Sequence, residues 1–571
     1  MNIFFLPVII TIKIMMMKLF QITFVVFIFC QSILADDQAP IVDTKNGKIR
    51  GYTTTLQYND VKLFVYEGIP YGKPPVGERR FLPSEPIDKW DGIYNAHGYR
   101  NACMHSMLIV PDNEIPETKH QSEDCLFLSV YRPAKKTDEK LPVMYWIHGG
   151  GFETGTIFSI AYDPSYLAGV GNVIVVAVNY RLAAFGFLYA DDEDAPGNAG
   201  LYDQLLGLKW TRDNIEQFGG DPDQITIFGE SAGSMSVSSH LLSPLTKGLF
   251  KRAIMQSGTV NSWMGSNSKT ESLKKTKMLA NALHCSTDDV KQMLKCMRNA
   301  SAEAIVESNK YGRNVGLVLT PVHDSEYIPK NPIEAVKNGE FHREIELLFG
   351  VNRNEGTVFA AAIFPKLLSP TIKNPQFTRM HAQTLIELLF GIFKISDPKA
   401  VAEFYLKNVS DSDVDGLRGA VGAAFGDYHL TCPSIFFGET FAKHSDSNNV
   451  FGYHLVHKPS MSGLLECVGY MGVCHADDLV FLFGFPIELR GTVYSEEDYY
   501  LSLDMINAWS NFARYGQPGK FAGMEWQPTL PTKSSNSSAR VLQIDVRGKQ
   551  QMIDNHFVPV CENFWRQRIF V

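Results

Sequence analysis

The sequence predicts an α/β fold with a large, mostly parallel central sheet and helices on both of its faces. From about residue 126 onward, apolar runs of strand length alternate with helical segments, which is typical of a parallel sheet. Leu141–Ile147 and Val173–Val178 are apolar throughout, as expected for strands that are buried on both faces. Gly200–Phe218 carries leucines at helical spacing and predicts a helix that packs on the sheet.

The remaining elements follow in chain order around this region. Residues 41–66 alternate apolar and polar positions and predict short antiparallel strands. Residues 269–310 and 365–445 are predicted to be helical and to form a cap over the sheet. Further strands are predicted at Ile225–Phe228, Arg252–Met255, Val450–Val456 and Val541–Ile544.

Length and composition indicate a globular protein with a large core. The chain has 571 residues, of which 45% are hydrophobic. Because there is no internal repeat and no low-complexity linker, we expect one domain over residues 36–571. The net charge of −8 and the lack of a long basic run exclude nucleic acid as an expected partner.

The N-terminus predicts export from the cell. Two lysines, Lys13 and Lys18, precede the apolar run Leu19–Phe29, and the small residue Ala35 stands before an acidic start. This is the pattern of a secretory signal peptide over residues 1–35, with a retained membrane anchor as the competing interpretation. No later stretch is apolar for about 20 residues, so we expect no membrane span after signal removal and an extracellular location.

Cysteines and glycosylation motifs agree with an exported protein. Eight cysteines remain once Cys30 leaves with the signal peptide, and an even number predicts disulfides. No C-x-x-C pair is present, so we expect no metal site. Three motifs of the form N-x-S predict glycosylation at Asn299, Asn408 and Asn536.

The strongest chemical motif is a G-x-S-x-G turn centred on Ser231. It follows the apolar strand Ile225–Phe228 and leads into a segment that can start a helix. Such a turn lifts a serine hydroxyl above the sheet edge and aims the next N–H, that of Ala232, at a developing oxyanion. A tight Ser/Gly turn without chemistry is the alternative.

A second motif supports the chemical interpretation. His148 and three successive glycines follow the strand Leu141–Ile147, about eighty residues before the serine motif. Successive glycines leave N–H groups unshielded, so that two of them can point at one negative charge. This order of an HGGG loop and a G-x-S-x-G turn is the one described for lipases and esterases. We assign no chemistry to His148 itself.

Residues 40–565 resemble the carboxylesterase/cholinesterase family, and within it the secreted insect-type carboxylesterases. The resemblance implies the α/β-hydrolase fold with helical cap insertions. The motifs that carry it, in the order of the family, are Gly68-Ile69-Pro70-Tyr71, Ser122–Leu126, the HGGGF loop, Asn179–Leu182, Asn198–Gln204, Asn214–Pro222, the Ser231 turn and Gln256-Ser257-Gly258.

The resemblance also implies a catalytic triad. The nucleophile is Ser231, the acid is Glu355 and the base is His475, in the order Ser, Glu, His that this fold uses. The backbone N–H groups implied for the oxyanion hole are those of Gly150, Gly151 and Ala232. The implied reaction is acyl transfer from a small ester, without a cofactor.

One departure from the cholinesterases and one match to the family bear on the substrate. Cholinesterases place a tryptophan in the first disulfide loop to bind a quaternary ammonium, but the loop between Cys103 and Cys125 contains no Phe, Tyr or Trp, which argues against choline esters. Trp263 is at the position of the acyl-pocket aromatic of the family, which implies a small or medium acyl group. Ordinary core packing is the alternative for Trp263.

Several functions stay open at this level. A juvenile-hormone-esterase-like or an odorant- or pheromone-degrading enzyme is an alternative, although Glu230 stands where juvenile hormone esterases usually carry Gln. A non-catalytic adhesion or binding relative is the alternative from another class. The sequence does not define the oligomeric state.

The resemblance to the family also implies disulfide bonds and ion pairs. The implied disulfides are Cys103–Cys125, Cys285–Cys296 and Cys432–Cys561, and the implied ion pairs are Arg80–Glu123 and Arg181–Asp203. Cys467 and Cys474 are left over, just before His475. We expect them to be separate buried thiols, because a bridge across so short a loop is easily strained.

Overall fold

The structure is a computed structural model that describes residues 40–105, 120–135, 139–313, 318–372, 376–462, 467–530 and 539–569. The predicted signal peptide and Asn536 lie outside these ranges. The other two predicted glycosylation sites, Asn299 and Asn408, are exposed near the ends of helices.

Eleven strands form the central sheet. In chain order they are β1 (Tyr52–Thr55), β2 (Lys62–Pro70), β3 (Phe127–Pro133), β4 (Leu141–Ile147), β5 (Ile174–Val178), β6 (Gly220–Glu230), β7 (Arg252–Gln256), β8 (Glu346–Asn352), β9 (Val450–Leu455), β10 (Arg540–Ile544) and β11 (Gln551–Asp554). The order across the sheet is β11-β10-β9-β8-β7-β6-β4-β5-β3-β2-β1. Strands outside this sheet are Ile41–Thr44, Gly47–Arg50, Ile93–Asn95, Ala102–Cys103, Gln121–Ser122, Tyr189–Asp192, Ala195–Pro196, Lys520–Phe521 and Met524–Glu525.

The sheet is parallel in its centre and antiparallel at both edges. The strands β4 to β10 pair in parallel with their neighbours within that group. The first three strands and β11 add antiparallel edges. The prediction of a mostly parallel sheet, and of antiparallel strands within residues 41–66, is therefore confirmed.

The central strands are apolar because both faces of the sheet are covered. Along β4, Val143, Tyr145 and Ile147 contribute to the hydrophobic core on one face. Met144 and Trp146 contribute to the core on the other face. All five side chains are fully buried, so alternation of polar and apolar residues is not possible here, and burial of this kind typically contributes about 1.5–3 kcal/mol per large apolar side chain.

Helices cover the sheet and also build a separate layer at the carboxyl ends of its strands. In this layer, residues of the segment 358–436 share a third hydrophobic core with the C-terminal residues Cys561, Phe564 and Trp565. The α-helices are Ser165–Gly171, Ala183–Phe187, Ala199–Asn214, Ala232–Leu242, Lys269–Ala282, Val290–Asn299, Ala302–Arg313, Pro332–Lys337, Thr357–Ile363, Pro365–Leu368, Arg379–Ile392, Pro398–Leu406, Val414–Gly426, Cys432–His444, Asp477–Leu482, Phe485–Glu488, Glu496–Tyr515 and Arg566–Ile569.

Four disulfides join the eight cysteines. Three of them, Cys103–Cys125, Cys285–Cys296 and Cys432–Cys561, are the pairs that the resemblance implies.

The expectation of separate thiols at Cys467 and Cys474 is wrong, because the structure joins them in a fourth disulfide. Their Cα atoms are 6.1 Å apart, within the range that a bridge requires. Gly469 and Gly472 adopt positive φ angles of 59° and 78°, which turn the chain sharply enough to bring the two cysteines together.

Both implied ion pairs are confirmed. Arg80 binds both carboxylate oxygens of Glu123 and also donates to the carbonyl of Ala300, so it ties the first disulfide loop to the segment that follows Val290–Asn299. Arg181 donates through Nε and Nη2 to the two oxygens of Asp203 at 2.8 and 2.7 Å. That pair joins the segment after β5 to the helix that precedes the serine motif.

Breaking the Arg181–Asp203 pair should destabilise the protein strongly. The two side chains are 2% and 0% exposed, so Asp203→Ala leaves an uncompensated buried guanidinium and should lower the free energy of unfolding by about 3–5 kcal/mol. The more exposed pair Arg212–Asp223 is the matched control. Asp223→Ala should lower the free energy of unfolding by about 1 kcal/mol or less. Urea denaturation of both variants measures the difference; equal losses would contradict this account.

Candidate active site

Ser231 lies on a strained turn between β6 and the helix Ala232–Leu242. Its φ of 57° and ψ of −123° are unfavourable for a residue with a side chain and are typical of a nucleophile elbow. The Ser231 N–H donates to the carbonyl of Gln256 at 2.9 Å, which fixes the turn to β7. A Cβ on Gly233 would be 2.0 Å from the carbonyl oxygen of Ile147, so only glycine allows the helix to approach β4 this closely.

The HGGG loop follows β4 and lies against the serine. A Cβ on Gly149 would be 3.0 Å from Cβ of Ser231 and 2.8 Å from a carboxylate oxygen of Glu230. Among the described residues, the N–H groups of Gly150, Gly151 and Ala232 have no hydrogen-bond acceptor. The Ala232 N–H directly follows Ser231, and those of Gly150 and Gly151 directly follow Gly149, which lies against it, so the three groups are candidates for stabilising a negatively charged oxygen.

His148 has a structural role, in agreement with the sequence analysis. Its ring is fully buried and stacks on Tyr180 at 4.5 Å, and the Tyr180 hydroxyl donates to the His148 carbonyl at 2.8 Å. Nδ1 lies 2.8 Å from the carbonyl oxygen of Gly149. Burial lowers the pKa of His148 to about 4, so the ring is neutral at physiological pH.

Glu355 and His475 form a close buried pair at the carboxyl end of β8. Nδ1 of His475 is 2.6 Å from Oε2 of Glu355. The other oxygen of Glu355 accepts from the Ser257 hydroxyl and from the N–H of Asn352, each at 2.6 Å. A carboxylate fixed in this way accepts the Nδ1 proton of the imidazole and leaves Nε2 as the nitrogen that Glu355 does not hold.

Glu230 is a second carboxylate on His475. Oε1 of Glu230 lies 3.0 Å from Nε2, and both side chains are almost fully buried. Burial raises the pKa of Glu230 to about 6, although His475 opposes the shift. Burial disfavours the charged imidazole, but Glu230 and Glu355 together raise the pKa of His475 well above its ordinary value. Sequence reasoning gave no reason to expect this contact.

The hydroxyl of Ser231 is not hydrogen-bonded to Nε2 of His475 among the described residues. The serine is partly exposed, whereas the imidazole is buried. Catalytic hydrogen bonds are often absent from ligand-free enzymes and form in the substrate complex, so this arrangement is compatible with catalysis.

A buried network that the sequence did not reveal fixes the three loops relative to one another. Asp478 accepts from the Gln256 side chain at 2.7 Å and from the Tyr453 hydroxyl at 2.9 Å. Asn352 donates to the carbonyl of Cys474 at 2.8 Å. The network thus connects the strand that holds the Ser231 turn, the strand before Glu355 and the loop that carries His475.

Trp263 is not a core residue. Its ring is 55% exposed and contacts Phe393 and His429, with centroids 5.1 and 5.9 Å apart. Closer to the candidate triad, Phe359 packs against His475 at 5.0 Å. Aromatic side chains therefore form one wall of the region next to His475.

One group of potential metal ligands occurs in the described part of the chain. The ligand atoms of Cys467, Cys474 and Asp477 lie within 4.8 Å of one another. Because the two sulfurs are joined in a disulfide, they do not offer the thiolates that a metal would bind. We therefore assign no metal to this group.

Comparison with known proteins agrees with this arrangement. The family model described as "Carboxylesterase family" matches residues 38–561. The chain belongs to the carboxylesterase family. Members of this family hydrolyse carboxylic esters and share the α/β-hydrolase fold, which confirms the predicted fold class and enzyme class.

Relatives with different names match nearly the whole chain. A cholinesterase from Mus musculus is 34% identical over 541 residues, which cover 92% of this chain and 86% of that protein. An acetylcholinesterase-1 from Trittame loki is 33% identical, with 87% and 91% covered. A pyrethroid hydrolase Ces2e from Rattus norvegicus is 32% identical, with 91% and 88% covered. In the described ranges of this carboxylesterase-family chain, each helix is too short or too polar to cross a bilayer.

Replacing Glu230 with glutamine should change the pH dependence of ester hydrolysis. A general base must be neutral, and Glu230 raises the pKa of His475. Removing the carboxylate charge should lower that pKa, so the acid limb of the kcat/KM profile should move to lower pH. Profiles of the wild type and Glu230→Gln from pH 4 to 9 measure the shift. An unchanged limb, or one that moves to higher pH, would contradict the proposed electrostatics.

Proposed function

We propose that the protein is a secreted serine esterase that hydrolyses small to medium carboxylic esters through an acyl-enzyme. Ser231 is the nucleophile, His475 the general base and Glu355 the acid that orients it. The oxyanion hole is formed by the N–H groups of Gly150 and Gly151 together with that of Ala232. No cofactor is required.

The observation that supports this proposal is the buried contact of His475 with both Glu355 and Glu230, the residue that precedes Ser231. Ser231 occupies a strained turn beside unpaired backbone donors. The imidazole of His475 is buried and held by Glu355 at 2.6 Å through Nδ1, so its Nε2 is the nitrogen left for proton transfer. Ser231 and His475 are brought into the same region by Glu230, which precedes the serine and contacts Nε2 at 3.0 Å.

The proposed reaction has two halves. His475 takes the proton of Ser231 as the hydroxyl oxygen attacks the ester carbonyl, and the N–H groups stabilise the oxyanion. The protonated imidazole then gives its proton to the leaving alcohol, which leaves the acyl group on Ser231. A water molecule, deprotonated by the same histidine, releases the acid and restores the free serine.

The proposed substrate class rests on one residue and on one absence from the sequence. Trp263 is the proposed acyl-pocket aromatic, and its exposed ring is compatible with contact to a ligand. The sequence between Cys103 and Cys125 contains no aromatic residue of the kind that binds a quaternary ammonium. We therefore favour uncharged esters over choline esters, although two of the relatives are named acetylcholinesterase or cholinesterase.

Purified full-length protein, recovered from the medium of secreting cells, provides the test. It should hydrolyse nitrophenyl acetate and butyrate with saturation kinetics and an initial burst of nitrophenol that reports the acyl-enzyme. Butyrylthiocholine, matched in acyl chain, should be hydrolysed much more slowly. Absence of turnover on all three esters would instead support a non-catalytic binding relative, and retention inside the cell would contradict secretion.

A further inference from the structure

His429 is a buried histidine that has no hydrogen-bond partner. Its side chain is 0% exposed, and neither Nδ1 nor Nε2 forms a hydrogen bond with any described residue. It belongs to the π-helical segment Asp427–Thr431, which interrupts the helices Val414–Gly426 and Cys432–His444. Single π-turns of this kind frequently occur at functional sites.

Four aromatic rings surround the imidazole. Phe425 and Phe393 lie at 4.4 and 4.5 Å between ring centroids, and Tyr428 lies at 4.7 Å. Trp263 is the fourth, at 5.9 Å. We call these four residues and His429 the aromatic pocket. Trp263 is its solvent-exposed member and Phe393 is half-buried, whereas Phe425 and Tyr428 are buried.

A histidine in this position lacks a packing explanation. Burial lowers the pKa of His429 to about 3, so the ring is neutral, with one N–H donor and one unprotonated nitrogen that can accept. Leaving both unsatisfied in an apolar environment is unfavourable, and a phenylalanine would fill nearly the same space without that penalty. Buried polar groups without partners are rare in native structures and call for an explanation, of which a functional role is one.

The aromatic pocket is connected to the candidate triad by direct ring contacts. Phe425 stacks on Phe359 at 5.6 Å, and Phe359 contacts His475 at 5.0 Å. The pocket also contains Trp263, which we have proposed as the acyl-pocket aromatic. In the proposed acyl-enzyme the acyl chain would begin beside His475, and these ring contacts lead from His475 to the aromatic pocket.

We propose that His429 is a specificity-determining residue that binds a hydrogen-bond acceptor oxygen in the acyl chain of the substrate. This inference rests on the proposed esterase function. It narrows the proposed substrates, among uncharged esters, to those whose acyl chain carries a keto or ether oxygen. The oxygen accepts from the imidazole N–H, while the apolar part of the chain contacts the aromatic rings. Access requires the exposed Trp263 ring to turn away from Phe393 when the substrate binds.

An oxygen scan of the acyl chain tests the proposal. Nitrophenyl heptanoate is compared with esters of the same chain length in which an ether oxygen replaces one methylene of the acyl chain. The methylene bonded to the carbonyl carbon is kept in all of them. In the wild type, one position of the oxygen should raise kcat/KM about fivefold over its neighbours in the series, as expected for one additional hydrogen bond. His429→Phe should abolish this maximum, and His429→Gln, which restores an N–H donor, should recover part of it.

Two controls separate this role from a structural one. His454 is another buried histidine, whose Nδ1 has no hydrogen-bond partner in the described residues and whose ring contacts that of His556. His454→Phe should leave the oxygen profile unchanged. A parallel scan of the alcohol part of the ester should show no maximum that depends on His429.

Each comparison is a ratio of kcat/KM values for two esters measured on the same variant. It therefore does not depend on how much of that variant is folded, and the possible results can be told apart. A flat profile in the wild type, the same profile in His429→Phe, or a maximum in the alcohol series would each overturn the inference while leaving the esterase function intact. Absence of hydrolysis of every ester by the wild type would overturn the proposed function and the inference together.

Discussion

Replacing Ser231 with alanine should lower kcat for a nitrophenyl ester by about a millionfold. The proposed acyl-enzyme forms on the Ser231 hydroxyl, and loss of the nucleophile in serine hydrolases of this kind has an effect of that size. Backbone donors beside the turn would still stabilise an oxyanion, so a residual rate of about 10³–10⁴ over the uncatalysed reaction should persist. Steady-state assays at high enzyme concentration measure this residual rate.

Ser239 provides the matched control for this variant. It lies on the helix that follows Ser231 and is fully buried, and its hydroxyl donates within the helix to the carbonyl of Met235 at 2.8 Å. Ser239→Ala should keep kcat within a few-fold of the wild type. If Ser231→Ala retained more than about 1% of wild-type kcat, a different nucleophile would have to carry the reaction.

Replacing Glu355 with glutamine should lower kcat by about ten-thousandfold. The carboxylate accepts from Nδ1 of His475 at 2.6 Å, and an amide of the same shape favours the wrong tautomer of the imidazole. The loss should be largest where the wild-type His475 is neutral, because the variant then presents a protonated Nε2 to Ser231. Kinetics from pH 6 to 9, with melting temperatures of both proteins, separate this effect from unfolding.

Ser257→Ala is the control for the acid. It removes one hydrogen bond to Glu355, at the oxygen that does not face His475, and leaves the carboxylate charge in place. We expect it to lower kcat by about tenfold or less, since one neutral hydrogen bond is worth about 1 kcal/mol. A loss of similar size in both variants would show that Glu355 acts through the stability of its loop instead of through the imidazole.

The sheet could be predicted because its physical signal is local. The runs Leu141–Ile147 and Val173–Val178 are apolar throughout because both sheet faces are covered, and the structure places strands at both. The G-x-S-x-G motif is also a local signal, although the contact that requires glycine at Gly233, with β4, is long-range. By contrast, Glu355 and His475 followed from the family resemblance, because their meeting depends on loops that are 120 residues apart.

What the sequence could not predict depends on contacts between distant segments. The bridge Cys467–Cys474 depends on two glycines that turn the loop sharply, and residue spacing alone does not show whether such a loop closes. The contact of Glu230 with His475 depends on how the end of β6 packs against the loop that carries His475. The buried histidine His429 is indistinguishable in sequence from an exposed one until its aromatic neighbours are placed around it.

Covalent labelling with a fluorophosphonate tests the central claim most directly, because it reports the nucleophile independently of any substrate preference. The folded protein should gain the mass of one phosphonyl group per chain, and peptide mapping should place it on Ser231. The adduct should be absent from Ser231→Ala and present in Ser239→Ala. Labelling of another residue, or none in folded protein, would contradict the assignment of Ser231 as the nucleophile of a serine esterase.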